Sequence, residues 1–189
     1  MRCLLLFCLL AVSCIVPAPT SGSGGQQPQA GAQRPAQGTP ATPAPPAEVR
    51  NGANFEDKVE LVGATVAPSR AAPGEAVRIT AFWKVLDEIP ADYTIFVHVE
   101  DVDGRTDRLN ADHQPANGTR PTSSWKKGET IKDDFTIYVP PQMQVRGLNV
   151  LIGLWEPKTD SRMKLKNPEA VRNDNNNRVL LAQLPVSAT

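Results

Sequence analysis

The chain has 189 residues, of which 20 are basic and 20 acidic, and it carries three cysteines. From Glu48 onward 18 basic residues stand against 20 acidic ones (18 − 20 = −2), with the two signs interspersed. Such a surface has no long-range field to steer nucleic acid or anionic lipid, and no Lys/Arg cluster with interleaved aromatics offers a nucleic-acid interface.

All three cysteines, Cys3, Cys8 and Cys14, fall before residue 15, so the rest of the chain can hold neither a disulfide nor a thiolate metal site. Arg2 forms a short positive region ahead of the unbroken apolar run from Leu4 to Val12. Apolar character extends from Cys3 to Val16, 14 residues interrupted only by Ser13. A membrane-crossing helix needs roughly 20. The segment therefore reads as a secretory signal, ended by Pro17 and Pro19.

Leu10, Ala11, Val12 and Ser13 ahead of Cys14 resemble the lipobox of bacterial lipoproteins. That resemblance implies cleavage before Cys14 and lipid attachment to it, with residues 1–13 as the signal peptide. The alternative is an ordinary signal peptide whose cysteine lies near the cleavage site, although prolines crowd each candidate bond of "IVPAPTSG". Two or three acyl chains, at ~0.8 kcal/mol per buried CH2, would anchor the protein stably. Ile15 in place of an aspartate implies, by the same resemblance, the outer membrane.

Residues 15–47 hold one charge, Arg34, and eight prolines, and no apolar periodicity follows Ile15-Val16. This composition cannot bury a core, so residues 14–48 are expected to be a partly stiff tether. A domain over 49–189 then follows. At about 140 residues it can bury roughly two-thirds of its unfolded surface without a covalent staple.

The domain alternates in short apolar runs. "VELVGATV" (59–66) precedes the Pro73-Gly74 turn, and "VRITAFWKV" (77–85) places Val77, Ile79, Ala81, Trp83 and Val85 on one face. "YTIFVHVE" (93–100) and "DFTIYVP" (134–140) repeat the pattern. "LNVLIGLW" (148–155) is apolar on both faces, as a central strand is, and "RMKLK" (162–166) and "RVLLAQLPV" (178–186) complete the set. About seven strands without helical spacing predict an all-β, immunoglobulin-like β-sandwich, with a jelly roll as the alternative.

Within this domain "IFVHVEDVDGR", "ADHQPANGTRPTSSWKKGETIKDDFTIYVPP" and "GLNVLIGLWEPKTDSRMKL" resemble the soluble sandwich appended to bacterial membrane glycosyltransferases of the dolichyl-phosphate-mannose mannosyltransferase type. The matching residues are Phe96, Val97, His98, Asp101, Gly104 and Asp112, then Pro115, Pro121, Thr122, Trp125, Gly128 and Glu129, then Gly153, Leu154 and Trp155. The resemblance covers about residues 59–186 and concerns the accessory domain. It implies a sandwich in the cell envelope and no glycosyl transfer.

The chemistry-bearing residues point away from catalysis and from metal. Asp101, Asp103, Asp107 and Asp112 cluster in sequence, but Arg105 and Thr106 stand where a calcium loop needs an oxygen ligand and a glycine. Asp103-Gly104 reads as a hairpin turn. His98 shares a strand face with Phe96, His113 lies in a loop, and both read as structural. Asp133 and Asp134 are neighbours in a strand and so point to opposite faces. No serine sits in a G-x-S-x-G elbow. No enzyme, cofactor or metal site is expected.

Trp83 and Trp155 fall in apolar strands and are expected in the core. Trp125 lies in the long 105–129 connection beside Arg120, Lys126 and Lys127, where it either closes the sandwich edge or forms a docking surface. The expected function is a non-enzymatic, lipid-anchored envelope protein whose sandwich docks onto a protein partner. A glycan-binding module is the alternative, and nucleic acid is excluded as a partner.

Overall fold

A computed structural model of the chain describes residues 47–187. The signal segment, Cys14 and nearly all of the proline-rich tether lie outside them. Among the described residues nine strands make two antiparallel sheets. The first sheet has the order β1 (Ala47–Phe55), β2 (Val59–Ala67), β3 (Ala76–Val85) and β6 (Thr130–Tyr138). The second runs from β5 (Leu109–Asn110) through β4 (Thr94–Asp101) to β7 (Gly147–Glu156). Both β8 (Ser161–Arg162) and β9 (Val179–Pro185) then pair with β7. The expected β-sandwich is present, and among the described residues no helix is long and apolar enough to cross a membrane.

The period-two pattern sets the core. Val77, Ile79, Ala81, Trp83 and Val85 of β3 all point inward, as do Ile131, Phe135 and Ile137 of β6. They meet Ile95, Val97 and Val99 of β4, Val150, Ile152 and Leu154 of β7, and Leu181 and Leu184 of β9. Trp83 is fully buried and tilted against Phe55, ring centroids 6.0 Å apart. Its indole N–H has no partner among the described residues, so this site trades a hydrogen bond for apolar fill.

The alternation expected to begin at "VELVGATV" is preceded by a full strand, β1, which already includes Ala47 and Glu48. Its register with β2 shifts between Arg50 and Ala53, at Asn51-Gly52. A bulge breaks the alternation that would mark a strand in sequence. Gly63 of β2 allows the close approach there: a side chain on it would put its Cβ 2.1 Å from the Val49 carbonyl oxygen.

The 105–129 connection is a strap rather than a loop. Ala111 and His113 continue along β4, with Ala111 N–H donating to the Val97 carbonyl and His113 exchanging backbone bonds with Ile95. The Ala116 N–H then donates to Asp133 Oδ1 on β6 (2.8 Å), which ties the second sheet to the first. Thr122, fully buried, donates to the Ala91 carbonyl and accepts from the Tyr93 N–H. The strap ends where Gly128 and Glu129 pair with Val85.

Candidate functional site

The period that sends Ile95, Val97 and Val99 into the core sends Phe96, His98 and Glu100 to the outer face of the second sheet. On the adjacent strand Leu151, Gly153 and Trp155 share that face, registered against His98, Phe96 and Thr94. A polar cavity of about 560 Å³ lies over this surface. Phe96 and His98 form its floor, and Trp155, Asp160 and Arg162 form one side. Arg108, Asp112 and the Asn175–Asn177 run complete the rim.

Gly153 makes the floor possible. A Cβ there would meet the Phe96 ring at 2.4 Å and the Asn177 carbonyl oxygen at 2.8 Å. Its bare backbone lets Phe96 lie flat on β7 and lets the asparagine loop reach down to the sheet. The loop is shaped by Asp174, which accepts from the backbone N–H groups of Asn176 and Arg178. Asn175 and Asn177 adopt left-handed φ values of 63° and 57°, a region asparagine tolerates better than most residues.

Several polar groups of the cavity are held. The Trp155 indole N–H donates to Asp160 Oδ1 at 2.9 Å, which fixes the half-buried ring. Asp112 Oδ1 accepts the Val97 N–H at 2.8 Å, standing in for a backbone partner along β4. Arg162 lies 4.8 Å over the Phe96 ring and donates to the Asn176 carbonyl at 3.0 Å. Cation and ring attract through the ring quadrupole, by about 0.5–2 kcal/mol.

His98 is 6 % exposed. Its Nδ1 lies 3.1 Å from an Arg178 guanidinium nitrogen and 3.5 Å from one of Arg108. A guanidinium only donates, so Nδ1 accepts and the ring proton sits on Nε2. Burial pushes the imidazole below its ordinary range, and the positive charges of Arg108, Arg178 and Arg162 add to this against the opposing pull of Asp112. The ring is therefore a neutral donor. Arg178 is itself neutralised by Glu100 and Asp174.

No family model matches the chain, and no curated protein matches it in sequence. Its fold is similar to a solved structure. The crystal structure of the C-terminal domain of wzt superposes with a TM-score of 0.42 at 14 % identity, covering 77 % of this chain and 80 % of that one. What the cavity does is read from its own residues. Phe96, His98, Asp112 and Trp155 meet at it, and Gly153 lies beneath.

The residues expected at a docking surface are placed differently. Trp125 is only 2 % exposed, packs in the core, and donates its indole N–H to the Arg120 carbonyl at 2.9 Å. It closes the sandwich edge and shows little of its ring to a partner, although it lines the same cavity as Lys126 and Lys127. Arg120 is paired with Glu129 at 2.7 Å, while Lys126 and Lys127 remain exposed beside a separate cavity of about 790 Å³. Trp155, expected in the core, instead lines the outer-face cavity, because β7 carries its inward set on the even residues up to Leu154.

The aspartate cluster forms a turn. Asp101 accepts from the backbone N–H groups of Asp103 and Arg105, and Asp103 pairs with Arg146 and Arg105. His113 bonds the Ala111 carbonyl within the strap and Asp133 on β6. The Asn175–Asn177 rim went unread in sequence, although the run Asp174-Asn175-Asn176-Asn177 concentrates side-chain amides and residues tolerant of left-handed backbone.

Proposed function

We propose that the protein is a non-enzymatic, lipid-anchored module of the bacterial envelope that binds a glycan on the outer face of its second sheet. The observation that carries this is the cavity floored by Phe96 and walled by Trp155, with carboxylates, guanidiniums and side-chain amides fixed around its rim. The half-buried Trp155 ring can take the C–H face of a sugar ring, Phe96, 3 % exposed beneath Arg162, packs under it as support, and polar groups of the rim take the hydroxyls. The groups are held on strands, so little ordering is needed when a ligand arrives.

The same bonds favour binding over turnover. The free nitrogen lone pair of His98 is occupied by guanidinium donors, so it cannot accept a proton as a general base. Asp112 and Asp160 are each engaged by a protein N–H.

Truncating Trp155 to alanine is expected to weaken saccharide binding by about tenfold or more, equivalent to about 1.4 kcal/mol. The unfolding midpoint should change little, since the ring is half-buried at a strand end. A glycan array followed by calorimetry on the full-length protein in detergent checks this. Undiminished binding by the variant would remove Trp155 from the site and the reading with it.

The anchor is proposed at Cys14, with the proline-rich segment as tether. Metabolic labelling with a palmitate analogue should mark the wild-type chain and leave Cys14→Ala unlabelled. Equal labelling of the two would refute the lipid attachment.

A further inference from the structure

Resting on the glycan reading above, we infer that the cavity selects an acidic saccharide, one whose ring carries a carboxylate or phosphate, and that Arg162 and Arg108 are the residues that read the charge. The observation is an asymmetry between the cavity's positive and negative groups. Arg178, just behind it, is paired with both Glu100 and Asp174. Arg162 and Arg108 have no carboxylate within 4.0 Å among the described residues. Arg162 gives one of its N–H groups to the Asn176 carbonyl and keeps the others for whatever enters.

The negative groups that line the cavity are each partly engaged by the protein. Asp112 accepts from the β4 backbone and Asp160 from the Trp155 indole, so one oxygen of each serves the protein. Their remaining oxygens suit sugar hydroxyls, which donate. His98 adds a third donor. Its Nδ1 is taken, its Nε2–H has no partner among the described residues, and the residue, more than nine-tenths buried, lines the cavity. Two guanidiniums and an imidazole N–H around one aromatic floor form a donor set suited to an oxyanion. Charge-assisted bonds from arginine to such a group are roughly twice as strong as neutral ones.

The test compares matched ligands on the full-length protein in detergent: oligogalacturonate against its methyl ester, and a phosphorylated mannan against the neutral mannan. The acidic member of at least one pair should bind about tenfold tighter than its neutral form. That preference should shrink between about 0.05 and about 0.5 M salt, where screening shortens to a few ångströms. Arg162→Gln should erase the preference and Arg162→Lys should restore part of it. Arg108→Gln, on an exposed side chain, gives the same readout should Arg162→Gln lower the unfolding midpoint. Which pair responds separates carboxylate from phosphate. Equal binding of acidic and neutral forms would overturn the charge selection and leave the glycan reading standing. Binding to no saccharide in the pairs or on an array would overturn both.

Discussion

Replacing Trp125 by alanine is expected to cost the domain about 3–5 kcal/mol, the range for deleting a buried large aromatic. The indole is 2 % exposed and belongs to the main core cluster. Its removal opens a void under the strap and leaves the Arg120 carbonyl without the indole N–H it accepts. Thr122, fully buried three residues earlier, depends on the same packing for its bonds to Ala91 and Tyr93. Trp125→Phe should recover most of the loss, since it restores area and forgoes one hydrogen bond worth about 1 kcal/mol. Denaturant titration reads both values. A shift below about 1 kcal/mol for the alanine variant would mean that Trp125 is not the closure the packing describes.

The second large effect belongs to His113 and Asp133. The Asp133 side chain is fully buried, and it accepts from His113 Nε2 and from the Ala116 N–H, both at 2.8 Å. His113 Nδ1 lies 2.8 Å from the Ala111 carbonyl, and the ring stacks on Phe135. Both ring nitrogens face acceptors, an arrangement that the doubly protonated imidazolium fits. Burial works against that charge, but the Asp133 hydrogen bond and charge, the Ala111 carbonyl and nearby Asp112 outweigh it and hold the imidazole above its ordinary value. Asp133→Ala breaks a buried pair and orphans the Ala116 N–H, a loss of about 3–5 kcal/mol at acidic pH.

The sign of the pH dependence follows from linkage. A histidine whose folded-state pKa is raised contributes stability in full below its unfolded value of about 6.5, and that contribution fades as pH rises through the folded value. His98 works in the opposite sense, since its folded-state value is lowered. The wild-type profile therefore mixes the two. The difference between wild type and Asp133→Ala isolates His113: it should be largest below about pH 6.5 and narrow as pH rises beyond it. A difference that is flat or widens with pH would contradict the ion pair.

The core strands were legible because each keeps a strict alternation over a half-buried surface, as in Val77 to Val85. β1 was not, because the bulge at Asn51-Gly52 interrupts its alternation and its hydrogen bonds do the work that side chains do elsewhere. Phe96 and His98 were legible as a shared face from their spacing alone, and their rings lie 5.0 Å apart. The rest of the cavity was not. Arg108 comes from beside β5, Arg162 from β8, and the asparagines from the turn before β9, and nothing local in sequence announces that these meet. Trp155 was assigned to the core because residues 148–155 read as apolar throughout. Only the register against β4 shows that its face is the one left open. Trp125 illustrates the converse. Its polar neighbours leave edge closure and docking both open in the sequence; in the structure those neighbours turn outward and the indole closes the edge from inside.

Asp112 and His113 are adjacent in the chain, and they face different tasks: one walls the cavity, the other locks the strap to β6. Detaching the strap from the sandwich would carry the cavity wall away with it. Breathing of this edge and loss of the cavity wall are thus a single excursion. A ligand that holds Asp112 in place withdraws the protein from that excursion, and slows hydrogen exchange on amides as distant as Ala116, which no sugar needs to touch.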